Sequence, residues 1–288
     1  MLKFLSDKKL SVLHFLKPDA YQPALYFMHI PKTAGTSVDS MIRQRFDPAK
    51  TNPTFDVMKL MQTPASELRQ WDYVSGHLEF GYYLPQLMGR PVRTLVFVRE
   101  PRALVLSLYN QATAETNDPM HDYIARHCPD LESFLYDRTM SAYIANFQTR
   151  YLAQAERRFN TTLVAQARQC DSTRLSELML DACIKQRDSK RSDAKILSIA
   201  LKRLRSCWLV GLTERLDESM DALARRMNWP AFPPAPRLNR SRHHRRVEDL
   251  TPSLVRRLDE LTALDRVVYE KAARLSNLPA PPLRAAAA

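Results

Sequence analysis

Residues 24–37 read ALYFMHIPKTAGTS, an apolar run that stops at a loop carrying one lysine, one glycine and three hydroxyls. Leu25 to Ile30 is almost wholly aliphatic or aromatic and is bounded by Pro23 and Pro31, which predicts a strand. An unbroken apolar run of this kind suits an inner strand of a parallel sheet, buried on both faces. The next helix is expected to start near Thr36 or Ser37, either of which has a capping side chain, and to continue through Val38, Met41 and Ile42 at helical spacing. Loop N–H groups and the positive end of the helix dipole then face one spot, where an anion is stabilised.

Lys32 adds a full positive charge, Gly35 is expected to let the backbone approach an oxygen, and Thr33, Thr36 and Ser37 supply hydroxyl donors. The wording is not GxxxxGK[ST]: a second glycine is missing and the lysine comes first. The same residues also fit a proline turn into a capped helix with a solvated lysine. Loop chemistry by itself leaves both readings open.

The chain has 288 residues, 45% hydrophobic and 26% charged, enough to bury the core of one large domain or of a core with a helical insertion. A net charge of +12 suits anionic ligands, from nucleotides to acidic glycans, nucleic acid or lipid headgroups, without choosing among them. Cys128, Cys170, Cys183 and Cys207 have no CxxC spacing, so neither a metal site nor a disulfide framework is expected. The opening MLKFLSDKKLSVLHFLKP is interrupted by Asp7, Lys8 and Lys9 and offers neither a signal core nor a membrane span. A soluble cytoplasmic protein is the expectation.

Beyond the first helix, a short helix is expected from Pro64 to Gln70, and WDYVSGHLEF (71–80) reads as a strand ending at Ser75-Gly76-His77. VRTLVFVR (92–99) is the strongest strand, and Pro101 opens a helix that continues through Leu104, Leu108 and Gln111. Residues 120–205 are mostly helical in pattern. SCWLVGL (206–212) is a further strand, followed by a helix opened by Thr213 with Leu216, Met220, Leu223 and Met227 along one face. A last helix, capped by Thr251 and started by Pro252, should run to about Ser276 ahead of a frayed tail, 277–288. Strands alternating with helices predict an α/β fold, a parallel sheet with helices on both faces, with ligands at the carboxyl ends of its strands.

HIPKTAGTS, residues 29–37, resembles the 5′-phosphosulfate loop of sulfotransferases that use 3′-phosphoadenosine 5′-phosphosulfate (PAPS), especially the carbohydrate group containing the heparan sulfate 2-O- and 6-O-sulfotransferases. Ala34 stands where a second glycine is common. RTLVFVREPRALVLSLYN (93–110) is similar to that family's second motif, in which an arginine and a serine at the spacing of Arg99 and Ser107 hold the 3′-phosphate. The resemblance implies a P-loop-like three-layer fold, a single domain over 1–288 with its core at about 22–276 and a helical insertion at about 120–205. It implies cofactor contacts from Pro31, Lys32, Thr33, Ala34, Gly35, Thr36, Ser37, Arg99 and Ser107, with adenosine 3′,5′-bisphosphate as product and no metal.

A forked arginine and a neutral hydroxyl suit a phosphate dianion. Lys32 is the expected stabiliser of the bridging oxygen. The acceptor hydroxyl needs a base, and a histidine near neutrality suits it. Among seven histidines, His77 is chosen because Ser75-Gly76-His77 ends a strand and resembles the glycine-histidine segment of the 2-O- and 6-O-enzymes; Glu79 is the second choice. His29 is expected to be structural. NFQTRYLA (146–153) is similar to a segment of bacterial members and nominates Gln148 and Arg150 for the acceptor cleft. The basic run RLNRSRHHRR (237–246) nominates Asn239, Arg240 and Ser241 for a loop over the 3′-phosphate, or for an acidic glycan.

The leading expectation is therefore a PAPS-dependent O-sulfotransferase acting on a carbohydrate or other hydroxyl-bearing acceptor, with no specific nucleic-acid partner. An ATP-dependent phosphotransferase lacks a Walker A loop and a clear Walker B aspartate. A polyanion-binding protein on an inactive nucleotide fold would bind through 237–246 with steep salt dependence, yet that run has no interleaved aromatics.

Overall fold

A computed structural model describes residues 22–53, 63–77, 84–116, 118, 120–154, 192–234 and 245–277. Among them, β1 (Ala24–Met28), β2 (Tyr73–Gly76), β3 (Val92–Val98) and β4 (Leu209–Leu212) form one wholly parallel sheet in the order β2-β1-β3-β4. The described helices, in chain order, are α1 (Gly35–Arg43), α2 (Ala65–Leu68), α3 (Leu84–Met88), α4 (Pro101–Ala114), α5 (His121–His127), α6 (Leu131–Tyr136), α7 (Arg138–Ile144), α8 (Phe147–Gln154), α9 (Asp193–Ser206), α10 (Leu216–Met227), α11 (Pro252–Leu261) and α12 (Ala263–Ser276).

The strand alternation separates two cores. Ala24, Tyr26 and Met28 of β1 join Val96 and Val98 of β3 in one core, with Leu104, Val105 and Leu108 of α4 and much of α8, α9 and α12. Leu25 and Phe27 join Leu95 and Phe97 in the other, with Val38, Met41 and Ile42 of α1 and Met220 and Leu223 of α10. Helices therefore cover both faces of the sheet. Side chains of successive residues leave a strand on opposite faces, which is why a strand buried on both reads as one apolar run.

This topology creates a switch point between β1 and β3. From β1 the chain moves to one neighbour, β2, while β3 lies on the other side of β1 and leads outward to β4. The helix after β1 packs on one face of the sheet and the helix after β3 on the other. Their loops leave adjacent carboxyl ends towards opposite faces, which makes this the switch point, the place where open parallel sheets characteristically bind ligands.

Several boundaries differ from expectation for local reasons. The helix α1 begins at Gly35, with Ala34 in the left-handed region as its N-cap and no side-chain cap, so neither Thr36 nor Ser37 caps it. Thr213 opens a 3-10 turn, Thr213–Arg215, before α10. The strand β4 starts at Leu209 because α9 runs through Ser206. Thr251 does accept from Leu254 N, with Pro252 in the first turn, but the expected long final helix is two. Asn146 separates them: its N–H donates to the Leu261 carbonyl at 2.7 Å and its Oδ1 accepts the Leu264 N–H at 2.8 Å. The described parts of 120–205 are the helices α5 to α9. No helix among the described residues is long and apolar enough to cross a membrane.

Candidate active site

The loop after β1 is built against its own preferences. Lys32 and Ala34 both hold positive φ, 69° and 63°, a conformation costing a non-glycine residue about 1–2 kcal/mol. Thr33, fully buried, donates its hydroxyl proton to the Ile30 carbonyl at 2.8 Å and braces the turn. The hydroxyl proton of Thr33 is engaged within the turn in this structure. The helical ladder of α1 starts with Val38 N donating to Ala34 O at 3.1 Å, and the first turn holds no acidic residue. The N–H groups before it have no acceptor within the helix and lie at the positive end of its dipole. Thr36 is exposed at this end, Ser37 is buried, and Pro31 and Ala34 are half-buried.

Gly35 has a packing reason besides the close approach expected of it. A Cβ built on it would lie 1.7 Å from His29 Nε2. The imidazole of His29 occupies the side-chain space there, which is a requirement for glycine that the sequence alone does not show. The β1–β2 register pairs Met28 with Gly76, and His29 N donates to Gly76 O at 3.0 Å, so His29 and His77 come side by side just past the strands. Their rings lie 4.3 Å apart, and the Phe27 ring stacks on that of His29 at 5.4 Å.

His77 Nδ1 lies 2.9 Å from the His29 carbonyl oxygen. A carbonyl only accepts, so Nδ1 carries the proton and Nε2 the lone pair. Burial lowers the His77 pKa from 6.5, against the opposing effect of that carbonyl. His29 is pushed well below 6.5 by burial first, then by His77 and Lys32. Both imidazoles are neutral at neutral pH, and His77 is a base with a defined tautomer.

Lys32 is half-buried; its ammonium donates to Gln111 Oε1 on α4, and Gln111 Nε2 donates to Asp118 at 3.0 Å. Burial lowers the Lys32 pKa, Arg99 adds to that, and Glu115 and Asp118 oppose it. Ser107, half-buried, lies one turn before Gln111 on the same face of α4. The face carrying Ser107 therefore turns towards the lysine loop. Gln111, expected only as a helical position, is a contact of Lys32; its spacing of four from Ser107 is the signal in the sequence.

Arg99 follows β3 directly, and its guanidinium donates to the Lys32 carbonyl at 3.0 Å, joining the two loops. Burial pushes its pKa down while Glu214 and Glu100 hold it up; an arginine remains a cation at neutral pH. Glu100 does not pair with Arg99: its carboxylate caps α4, accepting from Arg102 N at 3.2 Å and Ala103 N at 2.7 Å. Glu100 N donates to Glu214, which also accepts from Tyr269 Oη at 3.0 Å.

Gln148 and Arg150, nominated for the acceptor cleft, both bond to backbone groups within the fold. Gln148 is fully buried against the Arg99 backbone, and Arg150 donates to the carbonyls of Ala142, at 2.7 Å, and Tyr143. Glu79, Asn239, Arg240 and Ser241 lie outside the described residues, as do Cys170 and Cys183. Burial pushes the Cys128 thiol up to about 11 and that of Cys207 to about 12, so neither is a thiolate nucleophile at neutral pH. Among the described residues, no group of three or more His, Cys, Asp or Glu is arranged to hold a metal ion.

What the described site brings together is a helix N-terminus, two cations and a neutral histidine at one switch point. Searched against protein-family models and against curated proteins, the chain matches none.

Proposed function

We propose that this chain is a PAPS-dependent O-sulfotransferase on a P-loop-like three-layer fold. The observation that carries the reading is the meeting of two anion-binding elements at adjacent strand ends, linked by the bond from Arg99 to the Lys32 carbonyl. One element is the Lys32 loop with the N-terminus of α1; the other is Arg99 with the Ser107 face of α4. A nucleotide bearing phosphates on both sides of its ribose matches two separate cationic positions, whereas a nucleoside triphosphate concentrates its charge at one.

The donor set fits such a ligand: fixed N–H groups, a guanidinium, an ammonium and hydroxyls, with no acidic residue in the first turn of α1. The bound donor supplies an activated sulfuryl group on a phosphate leaving group. Thr36 and the N–H groups around Gly35 hold the 5′-phosphosulfate end, while Arg99 and Ser107 hold the 3′-phosphate. Lys32 neutralises charge at the bridging oxygen as its bond to sulfur breaks, which requires the ammonium to exchange Gln111 for that oxygen. His77 Nε2 takes the proton from the acceptor hydroxyl as the new sulfur–oxygen bond forms in line. The acceptor class offered is a carbohydrate hydroxyl, on the strength of the family resemblance.

Calorimetric titration with adenosine 3′,5′-bisphosphate, beside ATP with magnesium, tests the reading. Saturable binding of the bisphosphate without metal is expected; preference for ATP with magnesium would replace it with a phosphotransferase.

A further inference from the structure

The residue at the carboxyl end of β3 is held from behind. Arg99 N–H donates to Gln148 Oε1 at 2.8 Å, and Gln148 Nε2 donates to Arg99 O at 2.9 Å. One side-chain amide thus engages both backbone polar groups of Arg99, and only one orientation of the amide allows it, because an N–H cannot accept and a carbonyl cannot donate. Gln148 is fully buried. Its own place in the first turn of α8 is set by Asp265 of α12. That carboxylate accepts from Gln148 N at 3.2 Å, Thr149 N at 2.7 Å and Thr149 Oγ1 at 2.6 Å. The path runs from Asp265 through Gln148 to the Arg99 backbone, and the Arg99 guanidinium then reaches the Lys32 carbonyl.

We propose that Gln148, fixed by Asp265, is the positioning residue that aims the Arg99 guanidinium at the ligand's 3′-phosphate. This rests on the sulfotransferase reading. Packing alone would be served by an apolar side chain of similar length; the paired hydrogen bonds to a single backbone residue are what an aiming role requires. A guanidinium recognises phosphate by direction as well as by charge, so turning its backbone degrades that contact and spares those made by the Lys32 loop.

The test compares affinities for adenosine 3′,5′-bisphosphate and AMP in the full chain, in Gln148→Met and in Gln148→Glu, which keeps the size and removes the Nε2 donor. Ser141→Ala, buried in α7 with its hydroxyl on Leu135 O, controls for general loosening of the helical layer. Circular dichroism establishes folding of each variant. The expected result is a fall of about tenfold in bisphosphate affinity for a folded Gln148 variant, the scale of one charge-assisted hydrogen bond, with AMP affinity nearly unchanged. Ser141→Ala should leave the ratio alone. A folded Gln148 variant that keeps the parent ratio overturns the proposal. If the parent itself does not favour the bisphosphate over AMP, the sulfotransferase reading fails instead.

Discussion

The two loops that meet at the switch point differ in what shapes their backbone. The loop after β1 takes its backbone shape mainly from near neighbours, although Gln111 and Arg99 reach Lys32 from the other loop and its helix: Thr33 braces Ile30 three residues away, Lys32 and Ala34 bear positive φ, and a glycine makes room for His29. The loop after β3 is held by distant parts of the chain, with Gln148 on the Arg99 backbone and Glu214 on Glu100 N, itself steadied by Tyr269. A short segment can shape backbone N–H groups for an anion by itself. Aiming one long cationic side chain needs support from elements far away in sequence.

Substitutions in each loop sharpen that contrast. Gly35→Ala should have the largest effect on stability, about 1–3 kcal/mol from forced movement of the buried His29 ring, read as a lower urea midpoint. An unchanged midpoint would mean that the His29 contact does not shape the first loop. Glu100→Ala removes both bonds capping α4 and should cost about 1–2 kcal/mol by the same measurement. A negligible loss would show that the second loop is held by Gln148 and Glu214 without its cap.

Acid should act on the first loop more than the second. The folded pKa values of His29 and His77 lie below 6.5, so the unfolded chain binds more protons in that window. The stability linked to these imidazoles is complete above 6.5 and is lost as pH falls through the folded values. Urea midpoints at about pH 7.5 and about pH 5.5 should differ in that direction, and a His77→Asn variant should show less of the difference. A pH response identical in the variant would place its origin elsewhere. The smallest change is expected from Ala34→Gly: relief of the left-handed strain is offset by a more flexible unfolded chain, leaving a net gain within about 1 kcal/mol. A clear loss of stability would mean that the methyl group of Ala34 packs usefully.

The contrast also explains what could be read in the sequence. Strand β1, strand β3, the Pro101 start of α4 and the Thr251-Pro252 start of α11 follow from patterns within a few residues. The positions of Lys32, His77 and Arg99 at strand ends follow from the same patterns. Gly35 was legible as a special position, but the His29 contact that excludes a Cβ there was not, since it depends on how the ring just past β1 folds back over the loop. The split between α11 and α12 depends on Asn146, more than a hundred residues earlier. Gln148 stood out within NFQTRYLA, yet its partner is the backbone of Arg99, a pairing that no local pattern contains.

The central claim is that two separate cationic positions at this switch point divide one nucleotide between them. It is tested most directly by measuring how much the 3′-phosphate adds to affinity, adenosine 3′,5′-bisphosphate against AMP, in the parent and in Arg99→Ala. A marked preference for the bisphosphate is expected in the parent, reduced about 10- to 100-fold by loss of the guanidinium, with AMP binding preserved through the Lys32 loop. Equal loss of both ligands, or a preference that survives Arg99→Ala, would contradict it.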